Sequence, residues 1–280
     1  MAKVKIVTDS TVDLSDEDLQ KYGVHVVPLS ITIDEENFLD RVTITPSQFM
    51  EKMKNSKELP KSSQPPVGEF VKVYEQYAEE GYEILSIHMT GGMSGTVGSA
   101  ETAAAMVAGH VKVIDSRFIS KALAFQVIEA AILAKQGKSM NEIVARLDEV
   151  RDQTQLFVVV NTLENLVKGG RIGKGKAMIG SLLNIKPIAS LEGGVYTPVS
   201  KARSHSQIVK FLSQKFAQDA KGKIIKGVGL VHADGSELAD KLKSAIIELT
   251  GYHDIHIEDT TPIVSTHTGP GAIGFMYYLE

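Results

Sequence analysis

The chain has 280 residues, 43% of them hydrophobic, and a formal net charge of −4. That length exceeds what one small core serves and suits two domains of ordinary size. The charge speaks against a nucleic-acid binder, which presents a basic face. The absence of cysteine excludes disulfides and thiolate metal sites.

No stretch approaches the roughly 18 unbroken apolar residues that a transmembrane segment needs. The longest apolar region, Ala122–Ala134, is broken by Gln126 and Glu129. Met1-Ala2-Lys3-Val4-Lys5-Ile6 runs into a strand pattern with no apolar signal core, so a cytoplasmic location is expected. With no tryptophan and few other aromatics, the chain suits an aliphatic pocket better than a surface for stacking bases or sugars.

In chain order, Val4–Thr8, Val24–Leu29, Ile84–Met89 and Val111–Asp115 read as strands, each followed by turn and then helix chemistry. That is the signature of an α/β fold with a mainly parallel sheet. Thr45-Pro46-Ser47-Gln48 and Ser139-Met140-Asn141-Glu142 are capping boxes that open helices. Leu156–Val160 and Ile185–Leu191 read as strands of a second unit, and Ser206–Asp219 as an amphipathic helix. Val228–Val231 is a predicted strand, Glu237–Leu249 a helix, and Ile255–Glu258, Ile263–Thr266 and Ala272–Tyr278 strands. The expectation is two α/β domains. Residues 1–155 form a three-layer α/β/α unit, and residues 156–280 form an α/β unit with a mixed sheet. A ligand crevice lies between them.

Two nucleotide-like motifs fail on context. Gly269-Pro270-Gly271-Ala272-Ile273-Gly274 matches the dinucleotide fingerprint, but the residues after it leave no room for the required helix, strand and acidic residue. Gly170-Arg171-Ile172-Gly173-Lys174-Gly175-Lys176 nearly makes a phosphate loop, but Ala177 stands where a hydroxyl should hold magnesium. His253 and His256, three apart on a strand pattern, face opposite sides and do not make a metal pair.

Five segments carry candidate site chemistry. Thr90-Gly91-Gly92-Met93-Ser94-Gly95-Thr96 lies between a strand and a helix, where free N–H groups attract anions; Ser94 serves equally as helix cap or ligand contact. Ser62-Ser63-Gln64-Pro65-Pro66 puts two hydroxyls before a rigid helix entry. Arg171 follows a glycine helix stop, Arg203 a strand, and His267 precedes a glycine turn. Together these could assemble one anion site.

In order and spacing, these motifs resemble the DegV family of bacterial fatty-acid-binding proteins. The resemblance runs from Val7-Thr8-Asp9-Ser10-Thr11 through Ser63-Gln64-Pro65, Ser94-Gly95-Thr96, Asp115-Ser116, Gly169-Gly170-Arg171-Ile172 and Lys186-Pro187 to His267-Thr268-Gly269-Pro270-Gly271. It implies a DegV-like two-domain fold enclosing a long-chain fatty acid such as palmitate. The implied role is a carrier that is not itself an enzyme and has no cofactor. It presents the carboxylate to a separate ATP-using fatty acid kinase, whose acyl phosphate enters phospholipid synthesis. Carried onto this chain, the carboxylate contacts are Ser63 and Ser94 with His267 nearby, while Arg171 and Arg203 bind the head group or dock the kinase, both at the rim. The rival reading is a serine hydrolase or acyltransferase with Ser94 as nucleophile, His267 as base and Asp115 orienting it. Against it, Gly92-Met93-Ser94-Gly95-Thr96 lacks the second glycine of a nucleophile elbow.

Overall fold

The structure is a computed structural model that describes residues 3–179 and 185–280. Met1 and Ala2, the first residues of the leader reading, lie outside them.

The first sheet is parallel, with strand order β2-β1-β6-β7: β1 (Lys3–Asp9), β2 (His25–Val27), β6 (Tyr82–His88) and β7 (Val111–Asp115). Its strands carry side chains buried on both faces, as a sheet covered on both sides requires. On one face Ile6, Leu85 and Ile87 pack with α5 (Ser120–Lys135), α6 (Met140–Asp152) and Leu19 of α1 (Asp16–Tyr22). On the other, Val7 and Ile84 pack with Phe70 and Tyr74 of α3 (Val67–Glu79) and Ala100 and Ala103 of α4 (Thr96–Met106). This is the expected three-layer arrangement.

A small antiparallel sheet, order β4-β3-β5, is absent from the sequence-based reading: β3 (Ser30–Ile33), β4 (Glu36–Leu39) and β5 (Lys61–Ser63). Its strands of three or four residues are too short for alternation to stand out. The chain then enters α2 (Pro46–Asn55), whose Thr45–Gln48 capping box forms as predicted.

The third sheet is mixed and six-stranded, order β10-β9-β8-β13-β11-β12. It comprises β8 (Thr154–Val159), β9 (Lys186–Ser190), β10 (Thr197–Ala202), β11 (Ile225–Ala233), β12 (His256–Asp259) and β13 (Ala272–Leu279). One face, with Phe157, Val159, Phe275 and Tyr277, is covered by α8 (His205–Asp219) and α9 (Ser236–Thr250). The alternate residues Leu156, Val231 and Met276 turn towards Ala122 and Phe125 of α5. α5 thus lies between two sheets, which explains why its apolar residues surround it instead of forming one stripe.

Two short helices flank the crevice: α7 (Glu164–Lys168) and α10 (Pro262–Thr268). The predicted strand at Ile263–Thr266 is corrected here, because the segment is helical. Its β-branched residues read as strand, but Pro262 occupies the first helical turn. Tertiary bonds supply the cap that the local sequence lacks: Asp13 Oδ1 accepts from Thr261 N (3.0 Å) and Asp40 Oδ1 from Ile263 N (3.2 Å).

Candidate functional site

An apolar slot lies between the small sheet, α10, the Thr90–Ser94 loop and the inner face of the six-stranded sheet. Leu29, Met89, Ile119, Leu156, Val158 and Ile263 contribute its greasy walls. At one end stand Ser62, Gln64, Ser94, Arg171 and His267. Beyond them an open, polar groove shares Ser62, Arg171 and His267 with the slot and is otherwise lined by residues that include Lys57, Lys61 and Lys168.

His267 is the pivot. Its Nε2 lies 2.6 Å from Ser62 Oγ, while its Nδ1 is buried without a partner. Burial, and secondarily the positive charge of Arg171, push its pKa down to about 4, so the ring is neutral at pH 7. With the proton on Nε2, His267 donates to Ser62, and the serine hydrogen is then free to point at an acceptor in the slot. Gly169 permits the close approach of the ring, since a Cβ there would lie 2.4 Å from Nδ1. Arg171 is fixed by backbone carbonyls: its Nε donates to Met93 O (2.9 Å) and one terminal nitrogen to Gly169 O (2.5 Å). It is half-buried, at the junction of slot and groove.

Ser94 faces the slot, and the N-cap of α4 is Gly95. Ser94 Oγ accepts from Thr96 N (3.3 Å) and lies 2.8 Å from Thr96 Oγ1. The expected cradle of free backbone N–H groups is not what this loop offers. Gly91 N donates to Asp115 Oδ2, Gly92 N to Thr90 Oγ1, and Met93 N to Thr90 O. Gly92 is there for close approach, because a Cβ would lie 2.6 Å from Gly194 O. The amides of residues 91–93 are thus already bonded, which leaves the Ser94 hydroxyl as the group this loop turns to the slot.

The structure brings Ser94, His267 and Arg171 to the slot, and Ser62 in place of Ser63. Ser62 pairs with buried Ile31 across the small sheet and shares its inward face, whereas Ser63 pairs with Ser30, is exposed and lines neither slot nor groove. Arg203 is exposed just past β10, and its backbone N–H donates to Gln207 Oε1; it lines neither space. The hydrolase triad is not assembled: the Ser94 partner is Thr96, the His267 partner is Ser62, and Asp115 accepts from Gly91 N and Arg117 N. The Gly170–Lys176 phosphate-loop candidate forms part of a 3-10 turn (Gly173–Met178), not a loop between strand and helix.

Sequence reasoning missed Gln64 and Tyr196. Gln64 lies against Gly95 and donates to Ser99 Oγ (2.8 Å), tying the Ser62 strand to α4. Tyr196 lines the slot with a buried hydroxyl that has no partner, and burial raises its pKa. Only the pairing of an isolated tyrosine with a glycine-rich turn (Gly193-Gly194) hinted at it.

A sequence profile of the DegV family of uncharacterised proteins matches residues 3–280. The chain belongs to the DegV family. A DegV domain-containing protein of Listeria monocytogenes is 44% identical over 281 residues, covering 100% of both chains. Among solved structures, a DegV family protein from Thermus thermophilus described by its fatty-acid binding has a TM-score of 0.92 and 31% identity, over 99% of each chain. DegV from Bacillus subtilis, described as a fatty acid binding protein, has a TM-score of 0.91 and 30% identity, over 100% of each. The likeness extends over the whole chain, and the α/β architecture is that of the family.

Proposed function

We propose that this chain binds one long-chain fatty acid, with the tail in the apolar slot and the carboxylate at Ser62, Ser94, His267 and Arg171. The observation that carries this reading is an apolar slot with Ser62, Arg171 and His267 where it meets an open groove, in a fold whose relatives are described as fatty-acid binders. Burying methylenes yields about 0.8 kcal/mol each, so roughly 15 of them supply on the order of 12 kcal/mol before ordering and translational losses. The tail gives affinity and the polar end gives orientation. A buried carboxylate needs compensating donors. The Ser62 hydroxyl, set free by His267, the Ser94 hydroxyl and the Arg171 charge supply them.

The domain boundary near residue 155 belongs to the same proposal: the slot is walled by elements from both sides of it. The finer role is presentation of the carboxylate to a separate ATP-using kinase. The open groove supports it, since it gives a partner's active site a path to the head group beside Ser62, Arg171 and His267. Arg171 is held by two carbonyls at the junction, so it can steady the head group while leaving one carboxylate oxygen to attack a phosphoryl group.

Mass spectrometry of lipid extracted from the purified protein tests the first part, with one equivalent of a fatty acid expected; an empty slot that also fails to take up added fatty acid overturns it. Reconstitution with a fatty acid kinase tests the second. Acyl phosphate should form only when the protein is present, and equal formation without it removes the presenting role.

A further inference from the structure

A second, smaller apolar chamber adjoins the slot. The two share Ile119, Leu156, Val158, Val264 and Thr268 as walls. Ser62, Gln64, Ser94, Arg171 and His267 do not line the second space, whose own walls add Val231, Gly274 and Met276 of the six-stranded sheet along with Ser120, His232 and Thr260. Its floor is the inner face of the six-stranded sheet, and strand alternation dictates which residues build it. On β13, Phe275 and Tyr277 turn to α8 and α9, while Met276 turns with Leu156 and Val231 towards α5. Gly274 is on the same face as Met276, two residues away. It stands in one cross-strand row, paired with Val158 on β8 and with Val231 on β11.

No backbone requirement explains this glycine, because it is not among the positive-φ glycines. A Cβ at Gly274 would lie 3.0 Å from Val231 Cγ2 and 3.5 Å from Met276 Sδ, which means it would project into the lining of the chamber. A glycine inside a strand weakens it and leaves room for another group to come close. Here Val231 on the neighbouring strand already closes to 3.0 Å of where a Cβ would stand, so any side chain at 274 must displace Val231 or Met276 in the chamber lining.

We infer that the inner chamber receives the methyl end of the acyl chain, and that Gly274, with Met276 beside it, sets the longest chain the protein accepts. The inference rests on the fatty-acid reading above and adds the residues that fix the length limit. Gly274→Val fills the floor and excludes the last methylenes of a long chain. Each excluded methylene lowers affinity about fourfold. Met276→Ala enlarges the same space and acts in the opposite direction.

The test is competition between myristic, palmitic and stearic acids for the delipidated protein, with the wild type and both variants side by side. For Gly274→Val, the stearate-to-myristate affinity ratio should fall on the order of tenfold. Myristate binding should stay near its wild-type level. For Met276→Ala, the ratio should rise. Unchanged ratios in folded variants overturn the inference while leaving fatty-acid binding intact. Wild-type protein that binds none of the three overturns the reading beneath it. If Gly274→Val does not fold, Met276→Ala decides alone, and no shift towards the longer acid refutes the assignment.

Discussion

At the scale of single residues, the head-group end turns on one strand position. Ser62 and Ser63 are adjacent and chemically identical, and only the period of two in β5 tells them apart. The sequence shows two hydroxyls before Gln64 but not which one pairs with Ile31, because β5 has three residues and no alternation of its own. Ser62→Ala should weaken fatty-acid binding by about ten- to a hundredfold, the loss expected for one buried hydrogen bond to a charged acceptor. Ser63→Ala should leave it unchanged. Isothermal titration with palmitate separates the two, and equal effects would mean that β5 sits in the opposite register. Ser94, Arg171 and His267 were legible because each stands at the junction of an element and a glycine turn, where chain geometry exposes a side chain. Tyr196 was not, since its importance comes from an orphaned hydroxyl that only packing reveals.

At the scale of elements, α10 shows how tertiary bonds override local preference. Ile263-Val264-Ser265-Thr266 is a strand-like string, yet two carboxylates from distant loops hold its start as a helix. Asp13 accepts from Ser120 Oγ, Thr260 Oγ1 and Thr261 N, and Asp40 from Ile263 N. Burial, opposed by hydrogen bonds from Ser10 and Ile263 and by the charge of Arg41, lifts the pKa of Asp40 to about 7; nearby Asp13 adds to the rise. A carboxyl raised in the folded state stabilises the fold below its unfolded pKa, and that stabilisation is lost as pH climbs through about 7. Asp40→Asn removes this dependence. Relative to the variant, the wild type should lose roughly 2–3 kcal/mol of unfolding free energy between pH 5 and pH 8. Urea unfolding of both proteins at the two pH values measures it, and a constant difference would show that Asp40 is ionised throughout. The strands flanking long helices were legible because their hydrophobic runs are long. The β3–β4–β5 sheet was not, because short antiparallel strands with exposed residues carry little periodic signal.

At the scale of the whole molecule, strand–helix alternation announced a parallel sheet in the first half, and the mixed sheet of the second half was expected from the family resemblance. The crevice was expected from two closely packed units, and its walls come from segments as far apart in sequence as Thr11 and Thr268. No local pattern encodes such a surface. It arises because one sheet offers its unused face to another unit.

That face is met by α5, whose Leu123 and Val127 belong to the first core and whose Ala122 lies against Leu156, Val231 and Met276. A helix shared in this way leaves neither half a surface it could expose to water without loss. The two halves should therefore melt together, giving one calorimetric peak whose van't Hoff and calorimetric enthalpies agree, and cutting the chain near Gln153 should yield fragments that gain structure only on mixing. Two separated peaks would mean that α5 binds its two neighbours unequally.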